Sequence, residues 1–373
     1  MTATTPLRVQ VVDPSAFTPP YDHALCSALG RHGAVVELVT SRFLYGAVPE
    51  PDGYVVSEAF YRHARGAPGS PMRRALKLLG HVPDMLNYRR HARASADVVH
   101  FQWLDLQWLD PFLLPARPVV LTAHDLLPRE PRPGQARSQR RLYERVDAVV
   151  VHSQYGAGQL VDALGVDAAK VHVIHHGAFE HLTVAPRSAL PDELEPFDGP
   201  VALFFGLLRP YKGIDTLLEA WRGIGGAQLW IVGRPRMPLE PLRQTAPEGV
   251  RFVPRFVADA QLAALFARAD VVVLPYKRTE RFDQSGVLAT ALAFGKPVVL
   301  TDIGGFSEVA STGAARLVAP DDAAALHDAL ASLIGDRAER QRLAAAARAA
   351  AAGVYSWDEA ARRTLELYRT LLP

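Results

Sequence analysis

The sequence predicts an α/β chain of two doubly wound parallel sheets with helices on both faces, and three observations predict it. The chain has 373 residues, more than one ordinary core can use and suited to two domains of about 150 to 200 residues each. Short apolar runs alternate with helical patterns, the signature of parallel strands joined by crossover helices. Between residues 185 and 200, "APRSALPDELEPFDGP" is rich in Pro and acid and has no periodicity, which reads as a linker.

In the first half the strand runs are Leu7 to Val12, Ala34 to Val39, Val98 to Trp103, Val119 to Ala123, Ala148 to His152 and Val171 to His175. Tyr21 to Gly30, Arg137 to Val146 and Gly156 to Leu164 carry helical spacing between them. The second half repeats the scheme at Val201 to Phe205, Gln228 to Val232, Val250 to Val253, Val271 to Leu274, Pro297 to Leu300 and Ala315 to Val318. Val271 to Leu274 is apolar throughout, as a strand covered on both faces must be. The helix that follows, Ser285 to Phe294, opens on Ser285-Gly286 with unpaired backbone N–H groups and is stopped by Gly295-Lys296-Pro297. After Pro320, three helical stretches follow at Asp322 to Leu333, Ala338 to Ala352 and Trp357 to Leu372. The expected division is a first domain over 1–184, a linker over 185–200 and a second domain over 201–356. The tail 357–373 is a helix with an apolar stripe to cover.

Composition excludes several classes. With 49% hydrophobic and 21% charged residues the chain matches folded globular proteins. Residues 1–20 lack the basic start and apolar core of a signal peptide, so residence in the cytoplasm is expected. The one cysteine, Cys26, cannot form an internal disulfide and reads as a buried small hydrophobe. A formal net charge of +2 gives no nucleic-acid footprint. Locally, Arg62, Arg65, Arg73, Arg74, Lys77, Arg89, Arg90 and Arg93 face only Asp84, with Met72, Leu76, Leu79 and Leu86 among them. That segment reads either as a solvated helix face or as a basic amphipathic surface for anionic lipid at the inner membrane face.

Ligands of open parallel sheets sit outside the carboxyl ends of the strands, and three quoted segments lie there: "SAFTPPYDHA", "TAHDLLPRE" and "FFGLLRPYKGID". In the last, Gly206 permits a tight turn, and Arg209 and Lys212 stand just before a helix that starts near Gly213. Two cations beside a helix N-terminus suit a diphosphate, and the Ser285-Gly286 helix start offers a second anion site. No Gly-rich dinucleotide fingerprint follows the first strand, and no phosphate loop ending in Gly-Lys-Ser or Gly-Lys-Thr occurs. "VIHHGAFEH" clusters histidines without completing a metal set, so no metal and no cofactor is expected.

The blocks "FFGLLRPYKGIDTLLEAW", "RFVPRFVADAQLAALFARADVVVLPY" and "SGVLATALAFGKPVVLTDIGGFSEV" resemble, in order and spacing, the retaining nucleotide-sugar glycosyltransferases of glycosyltransferase family four. The resemblance spans essentially the whole chain and implies the GT-B fold of two facing Rossmann-like domains. It implies that Arg209 and Lys212 bind the donor's diphosphate, that the backbone at Ser285-Gly286 supports it, and that Arg255 and Phe256 border the base. His124 matches the active-site histidine, Tyr21 and Asp22 lie in the loop facing donor and acceptor, and the final helix crosses back to the first domain. The implied partners are a nucleotide-sugar donor and a sugar, lipid-linked or small-molecule acceptor.

Two departures stand out. Thr290 occupies the second position of the family's Glu pair and Phe282 the first, so the ribose contact is altered and Asp283 or Glu280 is left as the candidate carboxylate. "PPYDHA" replaces the usual Gly-Gly of the first loop and reshapes the acceptor side. Departure of a nucleotide diphosphate is served by fixed cations and helix dipoles. Arg209 and Lys212 supply them, His124 positions, and the acceptor attacks on the leaving group's face with a phosphate oxygen as base. The altered carboxylates also fit a protein that binds a nucleotide sugar without transferring it, and the fold also serves nucleotide-sugar epimerases. Transfer or hydrolysis of a radiolabelled donor separates these readings.

Overall fold

Valine-rich runs pair in parallel in two separate sheets of a computed structural model, which describes residues 6–127, 134–279 and 284–372. The first sheet holds β1 (Arg8–Asp13), β2 (Val35–Thr40), β3 (Val55–Glu58), β4 (Val98–Phe101), β5 (Val119–Thr122), β6 (Ala148–Val151) and β7 (Val171–Val173), in the order β3-β2-β1-β4-β5-β6-β7. The second holds β8 (Val201–Phe205), β9 (Gln228–Val232), β10 (Val250–Val253), β11 (Val271–Leu274), β12 (Val298–Thr301) and β13 (Ala315–Val318), in the order β10-β9-β8-β11-β12-β13. The order reverses at β1/β4 in one sheet and at β8/β11 in the other, and at such a switch point the connections leave to opposite faces and open a crevice at the carboxyl ends.

Each sheet is buried on both faces. Along β11, Val272 and Leu274 join one core with Tyr276 and Phe306, while Val271 and Val273 join the opposite core with Ile214 and Leu217. Period-two alternation sends successive side chains to opposite faces, so a strand inside a doubly covered sheet is apolar except where a buried polar side chain finds a partner, as His100 of β4 does in Tyr368 and Thr122. β3 lies at the sheet edge with Val55 63% exposed, and only four residues long it gave no readable run.

The chain divides into Met1–His175 with Trp357–Pro373, and His176–Ser356. The break therefore precedes the 185–200 stretch expected to be a linker, and residues 176–184 leave the first domain for the second. Leu194 is buried in the same core as Ala178, and Leu190 and Phe197 pack against it. These few apolar residues anchor the stretch without forming any period. The final helix Trp357–Thr370 belongs to the first unit, where Asp358 Oδ1 lies 2.7 Å from Arg31 Nη2 and the Tyr368 hydroxyl 2.7 Å from His100 Nδ1.

The basic segment is a helix, Pro71–Ser95, begun by Ser70, whose hydroxyl accepts the Arg73 N–H, and by a proline whose missing N–H costs nothing at that position. Lys77, expected on its basic surface, turns inward, and Arg62 and Arg73 donate to the Glu58 and Ala64 carbonyls. Arg65, Arg74, Arg89, Arg90 and Arg93 stay exposed, as do Met72, Leu78, Leu79 and Leu86. Among the described residues no helix is long and apolar enough to cross a membrane.

Candidate active site

In the second unit the site grows from the end of β8. Gly206 has φ +113°, and a Cβ there would stand 2.7 Å from Lys212 Nζ and 3.4 Å from Val287 Cγ2. Only glycine lets the ammonium group and the first turn of the helix Gly286–Ala293 close on this turn. A 3₁₀ turn, Pro210–Lys212, carries Lys212 inward until it is 6% exposed, with Nζ 5.1 Å from the centre of the Tyr276 ring. The Tyr276 hydroxyl reaches Ser285 Oγ at 3.3 Å, so one buried tyrosine joins the lysine to the helix start. Lys277 N–H donates to the Tyr211 carbonyl at 2.8 Å, binding the loop after β11 to the loop after β8.

Gly286–Ala293 starts without a side-chain cap, and Gly286 is exposed. Its first-turn N–H groups have no carbonyl one turn back, which leaves a local positive end beside Lys212. Arg209 is half-buried, and its guanidinium makes no hydrogen bond or ion pair among the described residues. A buried ammonium beside a row of uncapped amides can hold an anion, and Arg209 belongs to the same loop as Lys212.

The other expected donor residues divide. Phe256, just past β10, is 68% exposed and presents a free ring face. Arg255 instead forks onto Glu193, with contacts of 2.8 and 3.1 Å, and donates to Gln261, so its charge is already engaged. Thr290, placed among the donor contacts by the family's Glu, is 5% exposed and donates to the Gly286 carbonyl at 2.9 Å. Its hydroxyl proton serves its own helix. Asp283, with Glu280 and Phe282, lies outside the described residues.

In the first unit, residues at the ends of β1, β4, β5 and β6 converge. His124 stacks on Trp103 at 5.1 Å and meets the edge of Tyr21 at 4.7 Å. Its Nε2 lies 3.0 Å from Gln102 Oε1 and its Nδ1 3.4 Å from His152 Nε2, while His152 Nδ1 donates to the Ile174 carbonyl at 3.0 Å. Tyr21 is buried, and burial first, then Asp22, pushes its phenol up.

Asp22 shares a hydrogen bond with Asp13, and both are buried. Asp13 accepts the N–H groups of Ser15, Phe17 and Thr18 at 3.2, 2.6 and 3.0 Å. Burial first and the charge of Asp13 second push Asp22 well above the usual carboxylate range. Burial raises Asp13 too, but the N–H groups of Phe17 and Thr18 and the bond from Asp22 oppose it, which favours the shared proton on Asp22 while Asp13 holds the loop. Asp22 also borders a cavity of about 150 Å³ lined by His23, Thr40, Ser41 and Phe43.

Behind that loop, Lys77 Nζ donates to Ser15 Oγ at 2.6 Å and lies 4.4 Å over the Tyr61 ring. Ser15 Oγ donates to Asp105, which also accepts from Tyr61 at 2.9 Å. Asp13, Trp103, His152 and Tyr276 were not singled out from the sequence. Each ends a strand run or lies within two residues of its end, and that position was the signal available. His175 and His176 direct Nδ1 to backbone carbonyls at 3.0 and 2.8 Å, and among the described residues no group of His, Cys, Asp and Glu is placed to hold a metal ion.

A family model described as Glycosyltransferase Family 4 matches residues 21–178, and one described as Glycosyl transferases group 1 matches residues 199–336. A D-inositol 3-phosphate glycosyltransferase of Xylanimonas cellulosilytica is 31% identical, covering 92% of this chain and 89% of that protein. A phosphatidyl-myo-inositol mannosyltransferase of Mycobacterium leprae is 34% identical over 62% of this chain and 61% of its own length. Among solved structures, a sucrose-phosphate synthase from Thermosynechococcus elongatus matches with a TM-score of 0.73 at 20% identity, covering 98% of this chain and 99% of that one. Anabaena Alr3699/HepE, solved with UDP, matches at 0.71 and 18% identity over 98% of this chain and 100% of that one. The fold of these structures, the GT-B fold, is the fold of this chain.

Proposed function

Since the chain belongs to glycosyltransferase family four, we propose that it moves a sugar from a nucleotide-diphosphate donor to an acceptor hydroxyl with retention of anomeric configuration. The observation that carries this reading is Lys212 Nζ, buried against Gly206 beside the uncapped start of Gly286–Ala293. A buried ammonium facing unpaired amides stabilises the negative charge that develops as the diphosphate departs. Arg209 adds a second cation that substrate can reach. The exposed Phe256 ring offers the base a stacking face.

In the first unit, Tyr21, Trp103 and His124 supply ring faces and Asp22 a carboxyl group that stays neutral, a lining suited to a hydroxyl-bearing acceptor. With no developing negative charge to meet there, His124 orients the acceptor, and a phosphate oxygen of the donor takes the acceptor's proton. The cations do the work a divalent ion would do at the diphosphate, so the reaction proceeds without metal. The names of the related proteins, D-inositol 3-phosphate glycosyltransferase and phosphatidyl-myo-inositol mannosyltransferase, favour a phosphorylated or lipid-linked polyol as acceptor. Exposed Leu78, Leu79 and Leu86 with Arg74, Arg89, Arg90 and Arg93 support peripheral contact with anionic lipid from the cytoplasmic side.

Incubation with a panel of radiolabelled nucleotide sugars in chelator, followed by product analysis by NMR, tests the reading. Transfer with an unchanged anomeric configuration is expected. Inversion, or a strict need for a divalent ion, contradicts it, and interconversion of the donor with no transfer marks an epimerase.

A further inference from the structure

At the amino ends of the second sheet, away from the loops that hold Lys212, lies a cavity of about 600 Å³. One wall is a face of the helix Arg337–Ala352, where Arg337, Arg340, Ala344 and Arg348 recur at helical spacing. The facing wall is the entry to β8, β11 and β12, with Pro200, Asp270 and Lys296. The small side chain of Ala344 leaves room between the arginines.

The charges on these walls do not balance. Asp270 is engaged by Arg268 at 3.1 Å and by the Val201 N–H at 2.9 Å. Asp198 then stands against Arg337, Arg340, Arg348 and Lys296. Arg340 closes the preceding helix by donating to the Leu333 and Ile334 carbonyls at 2.6 and 2.7 Å. Arg337 and Arg348 make no hydrogen bond or ion pair among the described residues. Arg337 is the first residue of its helix, where the helix dipole opposes a positive charge. Arg348 lies across Gly295, whose φ of +58° and missing Cβ leave that side chain its place along the cavity floor. Lys296 is pushed down to about 8 by burial, with Arg187, Arg268 and Arg348 adding repulsion that Asp270 offsets in part.

Like charges gathered around a solvent-filled cavity repel one another, and an anion in the cavity turns each repulsion into an attraction. From the unpaired Arg337 and Arg348 and the crowded Lys296 around this cavity, we infer a second anion site, which binds a soluble phosphate-bearing molecule at the amino ends of β8, β11 and β12. The site is independent of the donor reading, since its residues and those around Lys212 lie at opposite ends of the strands.

Calorimetric titration with inorganic pyrophosphate tests it, using protein that carries Lys212→Ala so that the donor cradle is disabled. Binding should persist in that protein. The further change Arg337→Ala with Arg348→Ala should weaken it by about a hundredfold, roughly tenfold for each lost charge-assisted contact. Both arginines are exposed, so circular dichroism should show the fold unchanged. Absence of pyrophosphate binding in the Lys212→Ala protein, or binding that ignores the loss of both arginines, overturns the second site while leaving the donor reading intact.

Discussion

At the ends of β8 and β11 the chain gathers cations and uncapped amides, whereas at the ends of β1, β4 and β5 it gathers aromatic rings, histidines and two carboxyl groups that share a proton. The two sheets have the same topology around their switch points, so the fold supplies a place for a ligand in each and the loop residues decide which ligand. Lys212 is buried where a negative charge can answer it. Burial and the charge of Asp13 hold the Asp22 carboxyl well above the usual range, in a lining that offers ring faces and hydrogen bonds. On the proposed reading, the Lys212 region answers a charge that changes during reaction and the Asp22 region holds a molecule still.

The sharpest way to break this contrast is to remove amides and leave charge alone. Gly286→Pro deletes an N–H and crowds the helix start, and should lower transfer by more than about a hundredfold, the size of losing a preorganised donor. Ser285→Ala, which touches no first-turn amide, should stay near wild type; steady-state kinetics of the two variants checks the pair, and equal losses would place the anion elsewhere. Arg209→Ala should cost about a hundredfold in kcat/KM with an unchanged unfolding midpoint, because the half-buried guanidinium holds nothing in the fold.

The first region is sharpened by pH. Because the folded-state pKa of Asp22 lies above its unfolded value, the stability it contributes is present below the ordinary carboxylate range and is lost as pH rises through the folded value. Asp22→Asn mimics the protonated acid, so urea denaturation should show the variant holding stability toward alkaline pH where the wild type loses it. Parallel pH profiles would mean that the proton is not kept on Asp22. The smallest effect belongs to Thr290→Val, which removes one bond to a helix carbonyl; about 1 kcal/mol or less of stability is expected, with donor affinity unchanged by calorimetry. A collapse of donor affinity would place Thr290 in the donor site.

What was legible beforehand follows from range in sequence. β11 could be read because Val271 to Leu274 are apolar whichever face they serve. Gly206, Arg209 and Lys212 could be read because they share one loop beside a helix start. Lys77 could not, since its partner Ser15 lies 62 residues away and the basic helix pattern pointed outward. Leu190, Leu194 and Phe197 were hidden by the prolines and acids around them, because anchoring needs a few apolar residues and no period. Arg255 reads as a cation from sequence alone; only its fork onto Glu193 shows the charge to be engaged. Thr290 could be aligned but not oriented, and orientation decides its role.

The central claim is that Lys212 meets the diphosphate of a nucleotide. Calorimetric titration of wild type and Lys212→Met with a panel of nucleoside diphosphates, each beside its monophosphate, tests it most directly. The methionine fills the buried stem's space, and circular dichroism monitors the fold. One diphosphate should bind wild type well ahead of its monophosphate and lose about a hundredfold in Lys212→Met, while the monophosphate loses far less. Diphosphate and monophosphate binding equally well, or a folded Lys212→Met that holds the diphosphate as tightly as wild type, would contradict it.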